Sequence, residues 1–532
     1  MTPWSRILLA LIVVGCLLML AGTPLPLLES DSAFWGAIAK RVLASGEWLT
    51  LKHPWQPGVV VDRSPLTIWA MAVSFHIGGY TESALRLWHV LMTIALVLLT
   101  YKIARLAAGR EEALLAALLM ATFIQTFAMS GRPQQDVPLT LFLALGFYAY
   151  LGHRNDGKTL AAAWAGLWVA LAVLTKGIVA LAAFVPVIAA DRLTAWRQTQ
   201  TAAHWRWTQV GVGVVVFVAV AAPWFIAGAI RQGMPFVDTV FLHGSLGVGR
   251  FVRPFLTSPI PYWQVVLAYV PMLAAGLLPW TGLLPGAVRE GWRGLRAGPP
   301  PIRLCALWAG VYFLLVSLAP GDKVWRYLYP CYPPLAVLAA RWLTGAIGDA
   351  RRLRGAAGIL LVVSVPAILA VIWLEIVRGP EVREFLWMIV PPLAALFLAI
   401  LAFVRITLWG RGREGVAALA VGAMLAYGIA HWMILTHWER LWPWQTVAAI
   451  VNRQYRPGDR VLGRGWTALT FASFWLDAPV EEVTDDAALM QAWKAVRVFV
   501  LLSPDDYARL GDRLGATVLV RMPVGWVLAT NR

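Results

Sequence analysis

Carboxylates and cations recur at the ends of apolar runs in this sequence. Asp31 opens the stretch SDSAFWGAIAKRVLASGEW, and Asp136 stands in the turn MSGRPQQDVPLTLF. Basic residues follow the same pattern, and the set comprises Arg63, Lys176, Arg250, Lys323 and Arg326. Ionisable groups near membrane depth are costly and by default indicate a functional site. Paired carboxylates beside such cations suit chemistry on a lipid that carries a phosphate or pyrophosphate.

Each of these residues also has a purely structural interpretation. Asp31 and Asp136 both stand where a carboxylate can cap the free N–H groups of a helix start, and Pro138 favours this at the second position. The cations can extend along apolar surface to reach water. Lys176 fits that interpretation poorly, because it lies in the very tight turn LTKG between two apolar runs. Both interpretations of each single residue remain open at this level.

The elements that carry these residues are membrane helices. The chain of 532 residues is 59% hydrophobic, its mean hydropathy is +0.67, and a soluble domain is usually about 45–50% apolar. Apolar windows of about 17–25 residues predict thirteen spans, with the first retained rather than cleaved as a signal peptide. They are 5–23, 83–107, 112–130, 137–152, 159–175, 177–191, 208–229, 262–285, 303–319, 328–346, 355–376, 385–407 and 415–436.

The net charge of +17 lies mostly in short turns between alternate apolar runs. This distribution follows the positive-inside rule and argues against a nucleic-acid partner. It predicts a cytoplasmic N-terminus, an external C-terminus and two long external segments, residues 24–82 and 230–261. We therefore expect a multi-pass protein of the bacterial inner membrane whose C-terminal domain is periplasmic.

Two parts of the predicted outer face have their own local structure. Phe34, Trp35 and Ile38 recur at helical spacing with Lys40 and Arg41 on other faces, which predicts an amphipathic helix lying in the membrane interface. A second amphipathic stretch follows Asp62 and Arg63. We divide the chain into a membrane domain, 1–438, and an external domain, 439–532, in which alternating strand-like and helix-like segments predict a small α/β fold. That domain has no Gly-rich phosphate loop, so we expect it to pack against the rest or to guide an acceptor.

The sequence resembles a known family across roughly residues 5–340. The stretches DSAFWGAIAKRVLASGEW, VDRSPLTIW, ESALRLWHVL, GRPQQDVPLTLF, LAVLTKG, HGSLGVGRF and DKVWRYLYPCYPPLAVLAA are, as a set, similar to bacterial aminoarabinose transferases and their protein O-mannosyltransferase relatives. The resemblance implies the GT-C fold, here with about thirteen transmembrane helices, and transfer of a sugar from a polyprenyl phosphate carrier to an acceptor on the outer face.

The resemblance also assigns roles to positions. Asp31 matches the acidic residue of the family's first outer loop, which makes it the candidate catalytic carboxylate, and Asp136 matches the acidic residue of the second outer loop. Lys176 matches the lysine of the family's TKG turn. Arg63 stands where relatives usually have a lysine followed by two prolines.

Arg250 matches a basic residue that follows a histidine in the large outer loop, here His243. Lys176 and Arg250 are the preferred candidates for binding the donor phosphate. Arg63, Lys323 and Arg326 are the next candidates for the same role. Substrate contacts are assigned to Trp35, Asp62, His243 and Tyr327. The chain departs from the family pattern at Ser32, Phe34 and Trp35, and DRSP replaces the usual EKPP. These departures leave the sugar and the acceptor open.

The implied reaction is displacement at the anomeric carbon, with the lipid phosphate as leaving group. Fixed cations accelerate such a step because negative charge grows on that phosphate. Asp31 would accept the proton of an acceptor hydroxyl or orient the nucleophile, and Asp136 would hold the acceptor, the sugar or a neighbouring cation. We expect no required cofactor and no catalytic metal. His243 with Asp62 could hold a non-catalytic zinc ion, although a lone histidine is more often a hydrogen-bonded loop residue.

We expect a monomer whose partners are the polyprenyl-phosphate sugar, the acceptor and membrane lipids. We expect the acceptor to be a lipid such as lipid A or another glycolipid, or alternatively a protein Ser/Thr hydroxyl. A flippase for a lipid-linked sugar is the rival class, since it too would place basic residues in a membrane cavity. Transporters are often built from internal repeats with sites at the bilayer midplane, whereas the polar groups here lie on one side.

Overall fold

The computed structural model describes most of the chain. The described residues are 1–27, 29–56, 58–61, 63–156, 159–199, 207–238, 240, 267–319, 323–377, 380–523 and 525–532.

Helices dominate the first 441 residues. The first eleven are α1 (Pro3–Ala21), α2 (Ser30–Ser45), α3 (Leu66–Gly78), α4 (Glu82–Arg105), α5 (Arg110–Thr122), α6 (Ile124–Ser130), α7 (Asp136–Asp156), α8 (Thr159–Lys176), α9 (Val179–Thr199), α10 (Trp207–Gln232) and α11 (Met234–Val237). The next seven are α12 (Tyr269–Gly276), α13 (Leu284–Ala297), α14 (Pro300–Leu318), α15 (Tyr332–Ala346), α16 (Ala350–Val377), α17 (Pro380–Leu408) and α18 (Gly412–Leu441). Short 3₁₀ helices, Thr281–Leu283 and Trp325–Cys331, precede α13 and α15.

The described residues contain eight helices that are long and apolar enough to cross a membrane, or up to ten if each of two bent pairs counts as one span. The helical membrane fold predicted from the sequence is therefore confirmed, while the count of thirteen transmembrane helices is not. The described part of predicted span 262–285 is no straight helix, because α12 and the segment Thr281–Ala297 meet at a bend of 117°. Hydropathy alone cannot reveal a bend between two apolar halves.

The predicted span 112–130 is broken at Phe123, where α5 and α6 meet at 59°. Phe123 adopts an extended backbone conformation with φ −61° and ψ 132°. A break at membrane depth requires that protein groups satisfy the freed backbone atoms. The Ile124 amide donates to the Leu278 carbonyl at 2.8 Å, and the Tyr427 hydroxyl donates to the Thr122 carbonyl at 2.7 Å. Tertiary contacts therefore hold a bend that no local glycine or proline predicts.

Helix α2 forms as predicted and ends at Gly46, whose φ of 69° favours glycine. Its environment differs from the predicted interface helix, because its residues are buried on several faces and not along one stripe. Phe34 and Ile38 belong to a core that also includes side chains of α3 and of the C-terminal region. Protein therefore surrounds the helix. The amphipathic pattern of the sequence predicted only one of its buried faces.

The C-terminal region contains five strands and four helices. The helices are α19 (Trp444–Gln454), α20 (Trp466–Trp475), α21 (Asp486–Ala495) and α22 (Pro504–Leu514), and the strands are β1 (Arg460–Gly463), β2 (Val480–Glu482), β3 (Val498–Leu502), β4 (Thr517–Arg521) and β5 (Val527–Thr530). The sheet order is β2-β1-β3-β5-β4. β1 pairs in parallel with β2 and β3, and β5 pairs antiparallel with β3 and β4. The segments RVLGRGW, RVFVLL and ATVLVRM, which have the composition of strands, contain β1, β3 and β4. The helix-like segments TALTFASFWL, DDAALMQAWKAV and PDDYARLGDRLG correspond to α20, α21 and α22, whereas the short strands β2 and β5 were not predicted.

Helix α20 packs directly on α2. The Lys40 ammonium donates to the Leu476 carbonyl at 2.9 Å, just past the end of α20, and lies 3.3 Å from a carboxylate oxygen of Asp477. A Cβ placed on Gly36 would lie 2.6 Å from the Phe474 ring, so only glycine permits this approach. The packing role expected for the C-terminal region is therefore present, and it fixes the helix that carries Asp31.

We expect the C-terminus to lie outside the cytoplasm, because the arginine-rich turns alternate with arginine-poor ones. A reporter that is active only outside the cytoplasm, fused after Arg532, should be active, and a cytoplasmic reporter at the same position should be silent. The matched control is a fusion in the turn after α4, around Arg110, which should show the reverse pattern. An inactive external reporter with an active cytoplasmic one at Arg532 would invert the assignment.

Candidate active site

Two carboxylates and two cations form one ion-paired cluster. The Lys176 ammonium lies 2.5 Å from Asp136 Oδ1. The Arg326 guanidinium lies 2.8 Å from Asp31 Oδ2 and 3.7 Å from Asp136 Oδ2. These four residues come from α2, α7, α8 and the 3₁₀ helix Trp325–Cys331. We call them the ion-pair cluster, and it unites the two predicted catalytic carboxylates with two predicted phosphate-binding cations.

Asp31 does not cap its helix. The N-cap of α2 is Glu29, which makes no side-chain capping bond, and Asp31 lies inside the first turn with its carboxylate on Arg326. Asp136 is the first residue of α7, and its carboxylate likewise pairs with cations. Its side chain is only 3% exposed, whereas that of Asp31 is 33% exposed. Asp31 is thus the carboxylate of the cluster that an incoming substrate reaches more readily.

Lys176 is the last residue of α8, and Gly177 ends the helix with φ 70°. Its ammonium points to Asp136 and lies 4.4 Å from the centre of the Tyr327 ring. The interpretation that Lys176 only extends to reach water is therefore wrong. Tyr327 was predicted to contact substrate, and here it lines the cluster through cation–π contacts with Lys176 and with Arg326, whose guanidinium lies 5.5 Å from the ring centre.

Arg326 joins the two carboxylates. Burial by itself would lower the pKa of its guanidinium, but the carboxylates of Asp136 and Asp31 outweigh that effect and raise the pKa above its usual value. Arg326 therefore stays charged and keeps Asp31 close to Asp136. The sequence prediction preferred Lys176 to Arg326 as a phosphate-binding residue. The position of Arg326 between Asp31 and Asp136 could not be predicted, because both carboxylates are at least 190 residues earlier in the chain.

Arg63 lies beside another predicted substrate residue. Its guanidinium is 5.4 Å from the centre of the Trp35 ring, one helical turn after Asp31 in α2. The structure thus places Arg63 against Trp35, which is on the same helix as the candidate catalytic carboxylate Asp31.

Lys323 has a different environment. Its ammonium donates to three carbonyl oxygens at the end of α14, those of Val316, Ser317 and Ala319, at 2.9, 2.9 and 2.5 Å. Burial lowers the pKa of this lysine. Because an ammonium has three N–H donors, these bonds use its full capacity. Lys323 thus caps α14 in this structure, and its predicted phosphate contact would require it to leave that cap.

Three further predicted residues lie outside the described part of the chain. They are Asp62, His243 and Arg250. Their predicted roles, including the zinc-binding pair of His243 with Asp62, remain predictions.

The sequence prediction did not assign a role to Glu29, which is linked to the turn that precedes α7. Glu29 accepts hydrogen bonds from Ser32 and Gln134 and lies 3.5 Å from the Arg132 guanidinium. Arg132 in turn lies over the Trp325 ring, 5.1 Å from its centre. Trp325 directly precedes Arg326, so this chain of contacts leads to the ion-pair cluster. A second carboxylate two residues before Asp31 was the available sequence signal.

Arg86 was also missed. Its side chain is 1% exposed, and its guanidinium donates to the carbonyls of Thr23, Leu25 and Pro26 before α2 and to Gly131 in the second outer turn. The Arg86 guanidinium thus has hydrogen-bond acceptors in both loops. These bonds hold the segment before Asp31 next to the segment before Asp136. An arginine one turn inside an apolar run was the signal, because such a residue is costly unless it is fully bonded.

The ion-pair cluster already balances its charges, since two carboxylates face two cations. A lipid phosphate that binds Lys176 or Arg326 must therefore share these cations with Asp136 and Asp31 or displace the carboxylates. Displacement would release the Asp31 carboxylate from Arg326 at the moment the phosphate arrives.

These features define a polytopic helical membrane protein with a charged site built from loops and helix ends. The family model described as dolichyl-phosphate-mannose-protein mannosyltransferase matches residues 62–226. That range contains Asp136 and Lys176.

Curated relatives and solved structures agree with this class. An undecaprenyl phosphate-alpha-4-amino-4-deoxy-L-arabinose arabinosyl transferase of Edwardsiella ictaluri is 32% identical over 64% of this chain, and the aligned part spans 60% of that relative's length. Crystal structures of ArnT from Cupriavidus metallidurans, in the apo state and bound to undecaprenyl phosphate, both superpose with a TM-score of 0.80. They cover 98% of this chain and 97–98% of their own, at 19% and 20% identity.

The superposition shows that the described part of the chain has the same GT-C fold as ArnT, including its C-terminal region. These matches confirm the resemblance to aminoarabinose transferases and their protein O-mannosyltransferase relatives.

Proposed function

We propose that this protein transfers a sugar from undecaprenyl phosphate to lipid A at the outer face of the bacterial inner membrane. The sugar proposed is 4-amino-4-deoxy-L-arabinose, because the relatives' names specify that donor. The observation that carries the proposal is the ion-pair cluster, where Asp31 and Asp136 meet Lys176 and Arg326. A related fold that binds undecaprenyl phosphate supports the choice of lipid carrier.

The chemistry follows from the cluster. An acceptor oxygen attacks the anomeric carbon, the bond between that carbon and the phosphate oxygen breaks, and undecaprenyl phosphate leaves with one additional negative charge. Lys176 and Arg326 stabilise this charge more in the transition state than in the ground state, which raises the rate. An acceptor hydroxyl loses its proton to Asp31, whereas an acceptor phosphate attacks as the anion and needs only to be positioned.

We also propose that the reaction requires no cofactor. The leaving group is a monophosphate, and two fixed cations stand within one cluster to neutralise its growing charge. Purified protein treated with a chelator should retain its transfer rate, and a loss of rate that added Mg²⁺ or Zn²⁺ restores would contradict this part of the proposal.

The decisive experiment is transfer by the purified full-length protein in lipid nanodiscs. Undecaprenyl phosphate carrying aminoarabinose is supplied with lipid A, and mass spectrometry should show lipid A heavier by one aminoarabinose residue. Undecaprenyl phosphate carrying mannose is the matched donor control and should give little product. Lipids of cells with and without the gene should show the same difference.

Other outcomes identify the alternatives. Sugar on protein Ser/Thr residues instead of lipid A would favour a protein acceptor, as the description of the matched family model suggests. Movement of the intact sugar lipid across vesicles, without transfer to any acceptor, would favour a flippase and contradict the proposed activity.

A further inference from the structure

An aromatic cluster joins the first outer loop to the C-terminal region one turn beyond Asp31. It comprises Phe34, His53, Trp55 and Trp466, which we call the aromatic platform. The ring of Phe34 lies 4.7 Å from Trp466 and 5.6 Å from Trp55. The Trp55 ring lies 5.5 Å from Trp466 and 4.5 Å from His53. Side chains from two distant parts of the chain thus form one surface.

Two rings of the platform are buried, His53 is half-buried, and Trp466 is exposed. Phe34 and Trp55 are 6% and 5% exposed, whereas Trp466 is 45% exposed. Trp466 is the first residue of α20 and follows Gly465, which has a φ of 81°. Burying a tryptophan side chain stabilises a fold, yet the Trp466 ring stays about half exposed while the buried rings of Phe34 and Trp55 hold it in place. A rigid, exposed indole face is suited to stacking against a flat apolar surface.

Polar groups stand at the edge of the platform. The Gln56 amide donates to the Glu482 carboxylate at 2.8 Å. Burial lowers the pKa of His53, although the nearby Glu482 opposes this effect, so its ring is neutral at pH 7. An exposed indole face beside an amide, a carboxylate and a neutral imidazole can contact the C–H face of a sugar and hydrogen-bond its hydroxyls. Glu482 makes the same place unfavourable for a phosphate.

The platform is close enough to the ion-pair cluster to hold an acceptor. Asp31 and Phe34 are three residues apart and therefore neighbours on the surface of α2, separated by about 4.5 Å of helix rise. The Trp466 ring lies 4.7 Å from the Phe34 ring, so one side chain separates it from the turn of α2 that carries Asp31. The sugars of one oligosaccharide or glycolipid headgroup can cover that distance.

We propose that the exposed face of Trp466, with Gln56 and Glu482, binds a sugar ring of the acceptor and directs its nucleophile toward Asp31. The inference rests on the proposed function and extends it, because it gives the C-terminal domain a direct part in acceptor binding. The ligand class is a neutral face of a saccharide, here the glucosamine disaccharide of lipid A, while the acceptor's phosphates lie elsewhere.

The test compares Trp466→Ala with wild type in the nanodisc transfer assay. The acceptor KM should rise about fivefold, as loss of one aromatic contact predicts, while kcat and the donor KM stay unchanged. Trp466→Phe should retain part of the acceptor affinity. Trp48→Ala is the matched control, since Trp48 is a tryptophan of the same outer loop, is 38% exposed and lies outside the platform. An unchanged acceptor KM in Trp466→Ala would overturn the proposal.

Direct binding separates this inference from the proposed function. A water-soluble β-1,6-linked glucosamine disaccharide is added to full-length protein saturated with undecaprenyl phosphate, and contact is read by saturation-transfer NMR. Transfer of magnetisation to the disaccharide should be seen with wild type and Trp48→Ala and should be lost in Trp466→Ala. Equal signals from all three proteins, or no signal from wild type, would exclude the platform as a saccharide site. This conclusion holds whether or not the protein transfers sugar to lipid A.

Discussion

Replacing Asp31 by asparagine should lower the transfer rate by about a hundredfold or more, the range expected when a general base is removed. The asparagine has the shape of the aspartate but accepts no proton and no longer balances Arg326, 2.8 Å away. Folding should be retained, because the Asp31 side chain is 33% exposed and contributes little buried charge. The expected phenotype is an intact, donor-binding protein that does not transfer.

The measurement is single-turnover transfer at saturating donor, with thermal unfolding recorded on the same preparations. Asp477→Asn is the matched control, since this carboxylate also pairs with a cation on α2, Lys40, but is 79% exposed and outside the cluster. The control should transfer at the wild-type rate. Near wild-type turnover in Asp31→Asn would remove Asp31 from a catalytic role. If the acceptor group is a phosphate, a smaller loss with lipid A than with a hydroxyl acceptor is expected.

Replacing Lys176 by alanine should lower kcat about ten- to hundredfold and change the donor KM less. A charge-assisted hydrogen bond is worth roughly 1.5–3 kcal/mol, tenfold in rate corresponds to about 1.36 kcal/mol, and the contact strengthens as the phosphate leaves. The structure adds a second effect. Asp136 is 3% exposed, and without Lys176 its carboxylate keeps the longer 3.7 Å contact with Arg326. We therefore expect a loss of stability smaller than the roughly 3–5 kcal/mol that a fully unpaired buried charge costs.

A double variant separates the two effects. Lys176→Met with Asp136→Asn removes both charges of the buried pair and should recover most of the melting temperature lost in Lys176→Ala, because no unpaired charge remains. Its transfer rate should stay low, because the phosphate contact is still absent. Recovery of the wild-type rate would make Lys176 a purely structural partner of Asp136 and would move the phosphate site to Arg326 and Arg63. Lys176→Arg should retain part of the activity. The arginine keeps the positive charge, but its planar guanidinium cannot reproduce the compact position of the lysine ammonium.

Arg250 lies outside the described residues, and its predicted contact with the phosphate is tested by the same kinetics. Arg250→Ala should lower kcat more than it raises the donor KM, and an unchanged single-turnover rate would exclude it from the phosphate site. The melting temperature measured in parallel shows whether a loss of rate comes from loss of the fold.

Some site residues were predictable because their local context is informative. Lys176 in a turn too short for solvation, and Asp31 at the start of an outer helix, stand out in the sequence because charges near the membrane are costly without a partner. The partners themselves were not predictable. Arg326 pairs with residues 295 and 190 positions earlier in the chain, and no local pattern specifies which of several outer cations meets which carboxylate.

Hydropathy and charge determined, from the sequence alone, that the chain is a helical membrane protein and which turns carry its charged groups, because apolar length and loop arginines act locally. The tertiary structure alone decided the 59° break at Phe123, the bend after α12, the burial of α2 beneath α20 and the pairing of Asp136 with Lys176. Each of these depends on contacts between distant segments, such as the Leu278 carbonyl that accepts from Ile124. Backbone and charged groups inside a membrane must find partners within the protein, and only the folded chain determines which partners are within reach.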